Sequence, residues 1–150
     1  GIDPERLVFA GRLPKPEHLE RHRLADLFLD TFVVNAHTTA SDALWAGLPV
    51  LTRRGATFQS RVCASLLVAV GLPELVTETT TDYEALAVTL AADRPRLNEL
   101  RQRLCANRLT HPLFDTPRYA RHLERAYELL WENHRSGRPA AIIHVPAIPR

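Results

Sequence analysis

Apolar residues fall along this chain in two rhythms. In the first half they come as short unbroken runs bounded by glycine, proline or acidic residues; in the second they recur every three or four positions. Short bounded runs predict buried strands, and the three-to-four spacing predicts amphipathic helices. The runs are Leu7, Val8, Phe9 and Ala10, ended by Gly11; Leu27, Phe28 and Leu29, ended by Asp30; Pro49, Val50 and Leu51; and Leu75, Val76 and Thr77. They predict strands at 7–10, 27–30, 49–52 and 75–77. Between them a charged helix is expected over 13–26 and a small-residue helix over 39–46. A widely buried helix is expected over 57–70, beginning at Thr57, with Phe58, Val62, Leu66 and Ala69 along one side. Gly47 before Pro49, and Gly71 before Pro73, are helix stops.

After Thr80 only the helical rhythm is left. Tyr83, Leu86, Ala87 and Leu90 mark one helix; Leu97, Leu100 and Leu104 mark another, starting near Pro95. Thr116 is expected to cap a third, with Pro117 in its first turn and Ala120, Leu123, Tyr127, Leu130 and His134 as its stripe. From Arg135 onward, Gly137, Pro139, Pro146 and Pro149 read as a tail over 135–150.

The stretch from Ala25 to Thr52 organises the rest: strand, loop, helix, strand, which is a βαβ unit with a parallel pair. Its loop feeds a helix N-terminus, where unpaired N–H groups and the helix dipole favour an anion. Thr38 and Thr39 are good N-caps, and Thr39 with Asp42 has capping-box spacing. Ala40, Ala43, Leu44 and Gly47 line one face and let the helix sit close on a sheet.

The chain has 150 residues, 45% apolar and 24% charged, which suits one ordinary domain with a core of its own. A net charge of +2 is too slight to argue for nucleic acid. There is no 18-residue apolar run and no secretion-type leader. With no methionine and Gly1 first, the sequence reads as a piece of a longer protein. Cys63 and Cys105 form no CxxC pair, which suits free thiols in a reducing compartment, and cytoplasm is the expected location. The six glycines give neither GxGxxG nor GxxxxGK, so a dinucleotide dehydrogenase or a P-loop NTPase is not expected. Asp30 lacks the acidic pair of a receiver domain, and no GxSxG elbow is present.

Three groups carry candidate chemistry. At the helix start, the N–H groups and hydroxyls of Thr38 and Thr39 could hold a diphosphate beside His37, with Asp42 accepting from ribose hydroxyls. The same residues suit plain helix capping, and the spacing alone favours that. Lys15, His18 and Arg21 share one helix face and offer charge, a flat ring and a planar fork, which together suit a nucleotide. They also suit a solvated basic face, again the commoner meaning of such spacing. Arg53 and Arg54, in the loop over 52–61, could steer a phosphate or simply be exposed. His18 and His22 lie at metal-ligand spacing with Asp26 a turn later, but no third convincing ligand joins them, and no metal is expected.

Residues 24–52, with the string LADLFLDT, then NAHTTASDALWAGLPVLT, and GATFQSRV over 55–62 resemble the catalytic region of O-GlcNAc transferases of the SPINDLY type. The resemblance extends from about Leu7 to Trp131. It implies the C-terminal half of a GT-B enzyme: a Rossmann-like parallel sheet with flanking helices over 1–134, followed from about residue 80 by an all-helical segment. By that resemblance the whole enzyme moves N-acetylglucosamine from UDP-GlcNAc to serine or threonine hydroxyls, without a metal. His37, Thr38 and Thr39 then match the diphosphate-binding motif. Pro14, Lys15, His18 and Arg21 match a uridine-contacting stretch, Asp42 joins them, and the backbone at Leu13 matches the position that reads the uracil edge. No catalytic base is implied within this segment, and the acceptor protein is expected on the missing half. The family has Pro-Gly-Glu where this chain has Arg54, Gly55 and Ala56, while Thr57, Ser60 and Arg61 match. Two alternatives stay open: a GDP-fucose-dependent protein O-fucosyltransferase, and a binding or scaffold module derived from the fold.

Overall fold

Three of the four apolar runs become strands. In the computed structural model, which describes residues 1–148, β1 (Phe28–Leu29), β2 (Val50–Arg53) and β3 (Val76–Thr77) form a parallel sheet in that order. Phe28 pairs with Val50 and Leu29 with Leu51; Thr52 pairs with Val76 and Arg53 with Thr77. Val50, Leu51 and Thr52 of the middle strand are wholly enclosed, as a parallel strand covered on both faces must be.

Among the described residues six α-helices surround the sheet: α1 (Lys15–Arg21), α2 (Thr38–Ala46), α3 (Val62–Ala69), α4 (Thr80–Ala92), α5 (Arg94–Asn107) and α6 (Thr116–Arg135). The core joins Ala40, Ala43 and Leu44 of α2 to Cys63 and Leu67 of α3 and to Leu97, Leu100 and Leu104 of α5. The small face predicted for α2 is thus the buried one. Its stop is also where expected: Gly47 takes φ 88°, and the N–H groups of Gly47 and Leu48 return to Leu44 and Ala43.

Four expectations about the elements fail, each for a physical reason. Residues 7–10 form no strand: Val8 and Phe9 are 88% and 91% exposed. A four-residue apolar run becomes a strand only where a neighbouring edge takes up its N–H and C=O groups, and none of the described strands does so. The charged segment over 13–26 is helical only in part: α1 ends at Arg21, and a 3-10 turn (His22–Leu24) follows.

Likewise Thr57 starts no helix. Residues 57–61 make tight turns, with Ser60 N–H donating to the Thr57 carbonyl and Arg61 N–H to that of Phe58. The cause is Gly55, where a Cβ would stand 2.2 Å from Ser60 Oγ. The chain doubles back through that gap, and Gly55 N–H donates to the Ser60 carbonyl at 2.8 Å. α3 therefore begins at Val62 and buries Cys63, Ala64 and Leu67, while Phe58 and Val68 stay exposed. Finally, Asp115 rather than Thr116 caps α6, accepting from Arg118 N–H at 3.0 Å. An aspartate one residue earlier leaves Thr116 and Pro117 free to fill the first turn.

α6 buries none of its side chains fully, and Tyr127 and Trp131 are exposed. The tail runs back along it without regular structure as far as Ile148: Asn133 Nδ2 donates to the Pro139 carbonyl, and Ile148 N–H to His122 Nε2. Pro149 lies outside the described residues. Among the described residues no helix is long and apolar enough to cross a membrane.

The buried hub is Asp30, only 4% exposed. Its Oδ1 accepts from the N–H groups of Thr31 (2.8 Å) and Ala36 (2.6 Å), and its Oδ2 from the Thr52 hydroxyl (2.6 Å). The Tyr83 hydroxyl donates to the Asp30 carbonyl, and burial beside that carboxylate pushes the phenol up to about 12. Burial, reinforced by Asp30, also raises the Cys63 thiol well above its ordinary value, so Cys63 is an inert core residue. Asp30→Ala orphans three donors and is expected to cost about 3 kcal/mol in urea unfolding. A loss below about 1 kcal/mol would contradict the hub.

Candidate functional site

The Asp30 network builds the loop that carries the first candidate group. With Thr31 and Ala36 both tied to one carboxylate oxygen, residues 31–36 must close into a tight loop. Thr31 Oγ1 donates to the Val34 carbonyl at 2.6 Å, and Asn35 Nδ2 donates to that of Thr31 at 2.7 Å. Asn35 N–H reaches across to the Gln59 carbonyl (2.9 Å), which also lies 3.3 Å from His37 Nε2. A carbonyl only accepts, so His37 places its proton on Nε2.

The capping box expected at this end is not made. His37 itself occupies the N-cap position of α2 and makes no side-chain cap bond, and among the described residues no side chain accepts from the first-turn N–H groups. Thr38 and Thr39 are both exposed, and Asp42 turns elsewhere. The end of α2 thus presents bare donors, two hydroxyls and an imidazole at the surface, an arrangement that suits an oxyanion.

Asp42 turns toward α1. Lys15 Nζ lies 2.5 Å from Asp42 Oδ2, and His18 Nε2 lies 3.8 Å from the same oxygen. The carboxylate is largely shielded, at 16% exposure, whereas Lys15 is mostly open. Arg21 Nη2 sits 2.8 Å from His18 Nδ1 and its Nη1 2.7 Å from the Gly11 carbonyl. Guanidinium is donor-only, so His18 Nδ1 accepts and its proton is on Nε2, toward Asp42. Partial burial, followed by the neighbouring Arg21 and His22, lowers the His18 imidazole below its ordinary value; Asp42 pulls the other way and Lys15 adds slightly to the lowering.

Lys15, His18, Arg21 and Asp42 therefore meet directly. Thr39 joins His18 and Arg21 along a groove of about 480 Å³ that reaches Phe28 and Leu48. Leu13 is partly exposed, two residues beyond the Gly11 carbonyl that Arg21 holds. Arg53 and Arg54 are not free to steer an anion: Arg53 packs over the Phe32 ring at 4.7 Å and donates to Thr80, and Arg54 pairs with Glu78. Two participants escaped the sequence reading. The Gln59 carbonyl has no sequence signature. His22 stands at i, i+4 from His18, a spacing whose only sequence signal is that of a metal-ligand pair.

Comparison with known proteins gives a consistent result. The model of glycosyl transferase family 41 matches residues 1–123. The probable UDP-N-acetylglucosamine–peptide N-acetylglucosaminyltransferase SEC of Arabidopsis thaliana is 43% identical over 138 residues, 91% of this chain and 14% of that protein. The corresponding Caenorhabditis elegans enzyme is 40% identical over 139 residues, 93% of this chain and 12% of that protein. A mutant O-GlcNAc transferase of Thermobaculum terrenum superposes with TM-score 0.81 at 34% identity, covering 86% of this chain and 25% of that one. The chain therefore spans only a small part of the proteins it matches. Its parallel sheet with flanking helices matches part of a GT-B O-GlcNAc transferase, as expected.

In a histidine-detected NMR titration, His18 is expected to deprotonate below its ordinary value of 6.5, and Arg21→Gln to raise it. Because the folded value is the lower one, His18 supports folding fully above pH 6.5 and less as the pH falls below it. A midpoint at the ordinary value, indifferent to Arg21→Gln, would refute the geometry.

Proposed function

The chain belongs to glycosyl transferase family 41, and from that premise we propose that it is the donor-binding half of a protein O-GlcNAc transferase. In this reading the intact enzyme transfers N-acetylglucosamine from UDP-GlcNAc to a serine or threonine hydroxyl of an acceptor protein. The single observation that carries it is the juxtaposition of two parts. One is the bare N-terminus of α2; the other is the Lys15–His18–Asp42 cluster one helical turn further along. That spacing suits the two ends of a nucleoside diphosphate.

The roles follow from the chemistry of each group. Thr38 and Thr39, through backbone N–H groups and hydroxyls, take the diphosphate, and His37 joins them by turning its Nε2–H from the Gln59 carbonyl to a phosphate oxygen. Charge builds on the diphosphate as the sugar departs, so donors fixed beforehand favour the transition state over the ground state. Asp42 accepts from ribose hydroxyls through its second oxygen, while Lys15 holds the carboxylate in place. His18 offers a ring for the base to stack on. Arg21, held between His18 and Gly11, shapes the turn whose backbone at Leu13 would meet the edge of the base. The helix dipole and Lys15 supply positive charge, so the reading needs no metal. The acceptor site and any general base belong to parts of the enzyme beyond this segment.

Calorimetric titration of the chain with UDP and with GDP tests the reading. UDP is expected to bind in preference, and Asp42→Ala to weaken it at least about ten-fold, or ~1.4 kcal/mol. Binding of UDP that ignores Asp42→Ala would sink the site; a preference for GDP would transfer the proposal to fucosyl donors.

A further inference from the structure

We infer that His22 is a positioning residue of this groove, holding the His18 ring in the plane on which the base stacks; the inference rests on the nucleotide reading above. His22 closes α1 and opens the 3-10 turn that follows it. Its Nδ1 lies 2.8 Å from the His18 carbonyl oxygen, which can only accept, so Nδ1 carries the proton. This bond folds the His22 side chain back over its own helix and sets its ring perpendicular to that of His18, with centroids 4.8 Å apart. Perpendicular packing at that distance is attractive for two rings.

His18 is thereby bounded three ways: Arg21 at Nδ1, Asp42 beyond Nε2 and His22 against the ring. Both imidazoles and Arg21 line the same groove as Thr39. The charged groups around His18 are Lys15 and Arg21 on its own helix and Asp42 on α2, with His22 as the other titratable neighbour. Neither Arg21 nor Asp42 fixes the rotation of the ring about the line between its two nitrogens. A perpendicular neighbour does. A ring already held in plane loses less freedom when a base stacks on it, so ordering done by His22 in the free protein appears as affinity in the complex.

Three variants of the whole chain separate the ring from the hydrogen bond. His22→Phe keeps a ring and loses the donor, His22→Asn keeps a donor and loses the ring, and His22→Ala loses both. The His18 imidazole signals are followed by NMR with and without UDP, and circular dichroism checks folding. His22→Ala and His22→Asn are expected to displace the free His18 signals and weaken UDP about five-fold, the scale of one side chain left mobile. His22→Phe is expected to restore both. His18 signals unmoved by His22→Ala, or rescue by Asn as complete as by Phe, would overturn the inference. If the folded wild-type chain takes up no UDP while His22→Ala still displaces the His18 signals, the nucleotide reading falls and the positioning of His18 by His22 is supported.

Discussion

A single buried carboxylate governs this fold. Asp30 ends β1, takes a hydroxyl from Thr52 on β2, and draws back the loop that leads to α2. A carboxyl group withdrawn from water needs its oxygens satisfied, and here three donors meet that need at 2.6–2.8 Å. The arrangement couples sheet to site. Moving the carboxylate would free the 31–36 loop, and with it the residue that sits at the head of α2. Tyr83 seals the same point from α4 through its hydroxyl bond to the Asp30 backbone. Cys63 lies close beneath and is silenced by burial and by that charge.

The head of α2 shows how the capping residues were released from capping. Helices ordinarily satisfy their first N–H groups with the nearest hydroxyl or carboxylate, and Thr39 with Asp42 has the spacing to do so. Here Lys15 Nζ and the His18 imidazole on α1 stand beside the Asp42 carboxylate and compete for it. A lysine at 2.5 Å is a stronger partner than a backbone amide, so Asp42 faces α1 and the donors of α2 stay open. Two candidate groups that are separate in the sequence are brought together in the fold, because Asp42 of α2 contacts Lys15 and His18 of α1.

The surface away from the site carries apolar residues that this chain does not bury. Phe9 and Val8 near the start, and Tyr127, Leu130 and Trp131 on α6, are all exposed. Of the two described segments, the first lacks an adjoining strand edge. On α6 the described part of the tail reaches back to the His122 ring. Relatives of this family are several times longer than the chain, which accounts for 14% and 12% of the two compared.

Much of the architecture was legible from the order of residues. Strand runs at Phe28, Val50 and Val76, the Gly47 stop and the leucine ladder Leu97, Leu100, Leu104 are dictated by local chemistry. A buried strand needs continuous apolar residues, a left-handed cap needs glycine, and a packed helix needs its 3.6 period. The grouping of Lys15, His18 and Arg21 on one face was equally legible, since helical spacing alone produces it. Three things were decided only by tertiary contact. Residues 7–10 stay out of the sheet because strand pairing is made by a neighbour, not by the run itself. The helix expected from Thr57 waits until Val62 because Gly55 lets Ser60 close against it, a contact between backbone segments that no spacing records. And Asp42 abandons its capping role because Lys15 comes from 27 residues away. Local propensity sets what each segment can be; which of its possible partners a polar group takes is settled by the strongest donor that folding brings within reach.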